Sequence, residues 1–135
     1  MHKLSIKAKK DSPEVLFDPE TNIFKVVGIC HPENVTVFFQ PAIDWLDSYK
    51  SYLTKAGKDD KKDIKVIFFF RYFNSASYKY LITLLHKINE FTELGIGVFV
   101  EWHYEKDDEE MKESGIELFE FSMLKMPYVC IESEF

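Results

Sequence analysis

Two serine hydroxyls follow the junction between an apolar run and a helical pattern. Residues 64–70 are rich in β-branched and aromatic side chains, as in a central strand buried on both faces, and Ser75 and Ser77 come soon after them. Asn74 and Ser75 both suit the N-cap of the next helix. The first turn of a helix has unpaired N–H groups and a partial positive charge, so it favours added negative charge. We predict that this turn could carry a phosphate, although serine and asparagine at a helix start are most often caps and nothing else.

Cys30 and His31 are the second candidate for chemistry, because a thiol beside an imidazole can act as a nucleophile. Adjacent side chains on a strand point to opposite faces, so the pair would need an irregular backbone to meet. Ser75 lacks a Gly-x-Ser-x-Gly elbow and an adjacent base. A Cys/His hydrolase is therefore the weaker of two alternative functions.

The other alternative is a cation-binding or small-molecule-binding domain built on the acidic segment. Residues 107–110 are all acidic, and with His103 they could supply hard oxygen ligands and one imidazole. Consecutive acids at a helix start point in several directions, however, and usually form a solvated turn that complements the helix dipole. His86 lies beside an apolar stripe and is expected at the surface. No glycine-rich phosphate loop occurs, so we expect no metal and no cofactor.

Hydrophobic patterns predict the strands that position these residues. Three short strands are expected first, over Leu4–Ala8, Val15–Asp18 and Ile23–Gly28, with an antiparallel start. A strand beginning at Ile64 and another over Ile96–Trp102 flank a helix, and such a unit is usually parallel and right-handed. Residues 128–131 could form a last short strand.

Helical spacing predicts three helices. The first buries Val35, Phe38, Phe39, Ala42, Leu46, Tyr49 and Leu53, and the second buries Tyr78, Leu81, Leu84, Leu85, Ile88 and Phe91. Pro41 lies inside the first pattern and lacks an N–H, so we expect a kink or a fresh helix start there, with Gln40 distorted. A short helix is expected over 107–114, and residues 55–63 form a solvated loop. The fold class is α/β, with no domain boundary within 1–135.

Composition limits the function further. The formal net charge is −6, which argues against a nucleic-acid partner, since binding to phosphate backbones needs a basic surface. The chain shows no signal peptide and no apolar run of membrane-spanning length. Cys30 and Cys130 are far apart, without CxxC spacing, and are expected to be reduced, buried thiols of a cytoplasmic protein.

Several blocks of the sequence resemble the SiaC-like bacterial regulatory phosphoproteins. The block Arg71-Tyr72-Phe73-Asn74-Ser75-Ala76-Ser77-Tyr78-Lys79 is similar to the family signature Tyr-Phe-Asn-Thr-Ser-Ser-x-Lys. Further similar blocks occur in the same order at residues 12–18, 31–34, 41–49 and 100–111, so the resemblance covers nearly the whole chain. It implies a fold similar to that of STAS-domain anti-sigma-factor antagonists, with a mixed sheet whose N-terminal strands are antiparallel and whose central strands are parallel and packed by helices.

The resemblance also implies a function. In that fold the phosphate is carried at the start of a helix after a central strand, and Ser75 matches this position, with serine in place of the family's threonine. The family's next serine is Ala76 here, and Ser77 remains as the alternative acceptor. Arg71 and Lys79, if they reach the phosphate, would help to hold it. The expected docking surface is the helix start, with Tyr72, Asn74 and Tyr78 nearby.

The partners implied by the resemblance are enzymes of a signalling pathway. They are a histidine-kinase-like serine/threonine kinase, a PP2C-type phosphatase, and a diguanylate cyclase that the unphosphorylated protein binds and promotes. The chain itself is then a non-enzymatic switch in cyclic di-GMP signalling and biofilm regulation. Another effector enzyme in place of the cyclase stays open.

Overall fold

A computed structural model describes residues 1–135 as one six-stranded sheet in the order β1-β2-β3-β4-β5-β6. The strands are β1 (Leu4–Ile6), β2 (Glu14–Asp18), β3 (Ile23–Cys30), β4 (Ile64–Phe73), β5 (Val98–Glu105) and β6 (Tyr128–Ser133). Strands β1, β2 and β3 pair antiparallel, whereas β3 to β6 are parallel to one another. The predicted α/β class and mixed sheet are confirmed. Strand β3 reaches Cys30 and β6 reaches Ser133, both longer than predicted.

Three α-helices connect the parallel strands: α1 (Val35–Thr54), α2 (Ser75–Asn89) and α3 (Glu109–Ser122). Helix α1 runs without interruption through Pro41, so the fresh helix start predicted there is wrong. Proline at this position leaves the Val37 carbonyl without its intrahelical donor. Val37 is strongly exposed, so water can satisfy that carbonyl. Helix α3 extends eight residues beyond the predicted end at Ser114.

All three helices cover the same face of the sheet. Phe24 packs against Trp45 and Tyr49 of α1, and Trp102 donates its indole N–H to the carbonyl of Met111 in α3. The contacts of α1 and those of α3 belong to one core of 29 buried residues. The prediction that β4 is buried on both faces is therefore wrong, because side chains alternate along a strand and only one set points to the helices.

The opposite surface of the sheet has no helix on it, and we call it the open face. In register across β3, β4, β5 and β6 it carries Lys25, Ile67, Glu101 and Val129, and one step further Val27, Phe69, His103 and Ile131. Lys65 and Phe99 form a third row. Most of these side chains are partly or fully exposed. None of the helices combines the length and the apolar character needed to cross a bilayer.

Candidate functional site

A β-bulge shapes the end of β4 just before the predicted site. Gly28 of β3 pairs with Phe70, but the next residue, Ile29, pairs with Tyr72, so Arg71 is an extra residue in β4. The bulge lets Phe73 pack against the core rings of Phe70 and Trp102. Bulges commonly re-aim side chains near functional sites. Here β4 ends at Phe73, directly before the cap residue of α2.

Asn74 is the N-cap of α2. Its side-chain oxygen accepts a hydrogen bond from the Ser77 N–H at 2.9 Å, and its carbonyl accepts one from the Tyr78 N–H at 3.0 Å. Its own N–H donates to the Cys30 carbonyl at 3.1 Å, which ties the helix start to β3. Of the two capping candidates, Asn74 is thus the cap and Ser75 is the first helical residue. The N–H groups of Ser75 and Ala76 precede the capped pair and remain available to an anion.

The two candidate serines have opposite environments. Ser75 is exposed at the surface, whereas Ser77 is 0 % exposed and points into the core. The Ser77 hydroxyl lies beside the Cys30 thiol, although it forms no hydrogen bond of good geometry. Burial raises the pKa of Cys30 to about 11, and the nearby hydroxyl only partly offsets this. The thiol is thus held neutral and away from solvent.

Aromatic side chains surround the start of α2. Tyr72 is 52 % exposed and meets the ring of His31, which is also exposed. Tyr78 stacks on Phe73 with ring centroids 6.0 Å apart and contacts the edge of Phe121 on α3. Burial raises the pKa of Tyr78, and the nearby Glu117 carboxylate adds to this. Phe121 is 70 % exposed and was not predicted as part of this surface. It lies on α3, far along the sequence from the start of α2, so no local pattern connected the two.

The two predicted cations differ in availability. The Arg71 guanidinium lies 3.4 Å from a Glu105 carboxylate oxygen and 4.4 Å from the centre of the Phe135 ring. Lys79 is exposed and lies four residues after Ser75, on the same face of α2. Lys79 therefore needs no rearrangement of ion pairs to approach a group on Ser75, whereas Arg71 would have to leave its present contacts.

The residues proposed for alternative functions are not assembled into sites. Cys30 is buried while its neighbour His31 is exposed, so they do not form a pair. Asp108 caps α3 by accepting from the Met111 N–H, and the other acids of the segment are not grouped with His103. No three His, Cys, Asp or Glu side chains are arranged to hold a metal ion. His86 is exposed, as predicted, and Cys130 is half-buried rather than buried.

His103 instead belongs to a polar network on the open face. Its Nε2 lies 2.8 Å from a Glu101 oxygen and its Nδ1 lies 2.6 Å from the Ser133 hydroxyl, while Lys65 approaches Glu101 at 3.4 Å. Burial alone would raise the pKa of Glu101, but the hydrogen bonds from His103 and Lys65 outweigh it and lower the pKa. The sequence signal for this network was the alternation of charged and apolar residues along β5.

The α/β fold presents an exposed hydroxyl at a capped helix start beside aromatic side chains, an arrangement that suits a domain modified and bound at its surface. Residues 6–130 match the model of the family described as "SiaC family regulatory phosphoprotein", so the chain belongs to this family. This finding confirms the predicted family and its non-enzymatic, regulatory class.

Similar proteins are found in Pseudomonas aeruginosa. An uncharacterised protein of strain UCBPP-PA14 is 25% identical over 113 residues, which cover 84% of each chain. The structure of apo-SiaC is 23% identical with a TM-score of 0.79, covering 97% of this chain and 99% of that one. SiaC in complex with the diguanylate cyclase SiaD, which it activates, is 22% identical with a TM-score of 0.82, covering 96% and 99%. These likenesses confirm that the fold is SiaC-like.

Proposed function

We propose that this chain is a phosphorylation switch that binds a diguanylate cyclase in its unphosphorylated state and promotes its activity. Membership of a family of regulatory phosphoproteins supports the switch. The similar protein SiaC forms a complex with the cyclase SiaD as its activator, which supports a cyclase as the effector. The chain would thereby act in cyclic di-GMP signalling and biofilm regulation.

Ser75 is the proposed phosphorylated residue, and the observation that carries this proposal is the opposite burial of the two serines. A kinase must reach the hydroxyl, and Ser75 is exposed whereas Ser77 is completely buried. Ala76, between them, offers no hydroxyl. Phosphorylating Ser77 would require the first turn of α2 to open, since a phosphate cannot be buried beside the Cys30 thiol in the core without a large desolvation cost.

The start of α2 suits a phosphate on Ser75. The free N–H groups of Ser75 and Ala76 and the helix dipole favour the negative charge, and Lys79 adds a cation one turn away. A phosphate brings about −1.5 to −2 charge and three acceptor oxygens at neutral pH. The phosphorylated helix should therefore remain formed, and the modification acts on the surface that a partner sees.

That surface is the proposed docking site for the effector. It consists of the exposed start of α2 with Tyr72, whose exposed amphipathic ring is of the kind enriched at protein interfaces. Tyr78 lies partly buried at its edge, and its hydroxyl is enclosed without a hydrogen-bond partner. Docking removes water from this surface, and a dianion at its centre would have to lose its hydration as well. Phosphorylation would thus prevent binding. A histidine-kinase-like serine/threonine kinase and a PP2C-type phosphatase are the proposed enzymes that add and remove the phosphate.

The location of the phosphate can be tested on protein isolated from its own host cells in the presence of phosphatase inhibitors. Peptide mass spectrometry should find one phosphate, on Ser75. A phosphate on Ser77 alone, or none under any growth condition, would remove Ser75 as the switch and leave the fold assignment unaffected.

Binding to the host's cyclases tests the consequence by calorimetry. Ser75→Ala should bind like the unphosphorylated protein, because Ser75 is exposed and is not the cap, so its replacement by alanine should change the stability by no more than about 0.5 kcal/mol. Ser75→Asp should bind more weakly although aspartate suits the helix start. The matched control is Ser48→Asp, which makes the same change at an exposed position on α1 and should bind normally. If binding follows the melting temperature across the three variants, Ser75 is only a structural residue.

A further inference from the structure

The open face is an unusual feature for a sheet of this kind. Strands β3 to β6 are parallel, and parallel sheets almost always have both faces covered. Here α1, α2 and α3 all lie on one side, so the other face of the parallel sheet has no helix on it, and Phe135 at the end of the chain covers only the region around Phe69. A second layer supplied by another molecule would complete the usual architecture.

The side chains of the open face are those of an interface core. Phe99, Val129 and Phe135 are 39%, 39% and 46% exposed. The ring of Phe135 stacks on Phe69 at a centroid distance of 3.9 Å, which extends the apolar surface toward the end of β6. In register, Glu101 and His103 of β5 lie directly between Val129 and Ile131 of β6 and the apolar residues of β4, whereas Phe99 lies diagonally to both Ile67 and Val129. The face therefore groups exposed apolar side chains around a paired polar row, and exposed apolar groups rimmed by polar residues mark interaction sites.

The charges of the open face indicate what covers it. Lys65 pairs with Glu101 and Arg71 with Glu105. Lys25 of β3 and the acids Glu14 and Asp18 of β2 lie on the same side of the sheet, so positive and negative charges nearly balance there. The chain as a whole carries a formal net charge of −6, and the outer side of α3 is lined by Glu109, Glu110, Glu113 and Glu117. Two copies that met through the outer side of α3 would bring like charges together, whereas the open face can meet a second copy of itself without that repulsion.

We propose that the open face is the interface of a symmetric homodimer, in which each copy covers the sheet of the other. A two-fold axis places the same patch on both sides, as in most homodimers. Two sheets packed face to face lie about 10 Å apart with their inner side chains interdigitated. The helices remain on the outside, so the dimer leaves Ser75 accessible, and the proposal holds whether or not Ser75 is phosphorylated.

The test is the mass of the purified protein in solution, measured by light scattering and sedimentation velocity over a wide concentration range. The wild type should have twice the monomer mass. Phe99→Asp and Val129→Asp each place a carboxylate among the exposed apolar side chains of the open face and should give monomers with near-normal melting curves. The control Phe121→Asp makes the same change at an aromatic side chain of the helical layer that is even more exposed than Phe99, and it should stay dimeric. A monomeric wild type at every concentration, or aspartate variants that remain dimers, overturns the proposal.

Cross-linking keeps the proposal testable if the aspartate variants do not fold. Wild-type chains labelled with a heavy nitrogen isotope are mixed with unlabelled chains and treated with a lysine-reactive reagent. Cross-links between copies through Lys25 and Lys65 of the open face support the dimer. Cross-links only through lysines elsewhere, or none between copies, overturn it. A monomer whose open face is protected from hydrogen exchange only after a cyclase is added also overturns it, and assigns the face to the effector.

Discussion

At the scale of single residues, the site depends on the helical phase of two serines. Ser75 and Ser77 are separated by two positions, which rotates them onto different sides of α2, one toward solvent and one toward the core. The sequence placed both at the helix start and favoured Ser75 through the family signature. The predicted buried stripe of α2 also separates them, because Ser77 lies four residues before Leu81 on that stripe and Ser75 does not lie on it.

The buried side of this turn gives a prediction about thiol reactivity. Cys30 is 0% exposed and has a pKa near 11, so only about one thiol in a thousand is ionised at pH 8. Burial also raises the pKa of Cys130, but this thiol is only half-buried. In the native protein an aromatic disulfide reagent should therefore modify Cys130 alone, and Cys30 should react only after denaturation.

Thiol titration followed by peptide mapping checks this expectation. Cys130→Ser is the matched control, since the native variant should then take up no reagent at pH 8. Equal rates at the two cysteines of the native wild type would show that the start of α2 opens readily, and would weaken the argument that Ser77 is inaccessible.

At the scale of the elements, the order of strands and helices was predictable from the sequence. Two features were not: the exposure of one face of β4 and the length of α3. On β4 both faces are apolar, because Ile67 and Phe69 of the open face are as hydrophobic as the core residues, so the strand was predicted to be buried on both sides. The second feature is the length of α3. Gly115 directly follows the predicted end, and glycine is typical of the position after a helix, yet α3 continues through it.

Gly115 is explained by Trp102, and this gives a prediction. A β-carbon at position 115 would lie 2.4 Å from the indole ring, which is fully buried and held by its hydrogen bond to Met111. Gly115→Ala should therefore lower the free energy of unfolding by about 2 kcal/mol, although alanine favours helices. Urea denaturation followed by tryptophan fluorescence measures it.

Gly57→Ala is the matched control for this substitution. Gly57 has no atoms within 4 Å of the added carbon and an extended backbone that alanine accepts, so the variant should be unchanged or more stable by about 0.5 kcal/mol. If the two variants have the same stability, Gly115 of α3 does not pack closely against the Trp102 ring as the structure shows.

At the scale of the whole molecule, the fold separates its surfaces. Strands β3, β4 and β5 all end at the edge where α1, α2 and α3 begin, so this edge presents the helix start that bears Ser75. The open face lies on the other side of the sheet, and of the predicted site residues only Arg71 belongs to it, through its ion pair with Glu105. One surface can thus be switched by phosphate while the other serves assembly. The sequence could indicate the first through its motif, whereas the second follows from side chains that come together only in the folded sheet.

The separation predicts that phosphorylation changes binding without changing the fold. Protein with phosphoserine genetically encoded at position 75 should unfold in one cooperative transition, at a melting temperature equal to or about 1–4 °C above that of the unmodified protein. The reason is that a negative charge at a helix N-terminus contributes roughly 0.3–1 kcal/mol. Differential scanning calorimetry measures the transition, and calorimetric titration of the same samples with a host cyclase should show that binding is lost. If the phosphoprotein melts well below the unmodified protein, phosphate acts by disrupting α2, and the switch is an unfolding event rather than a change at an intact docking surface.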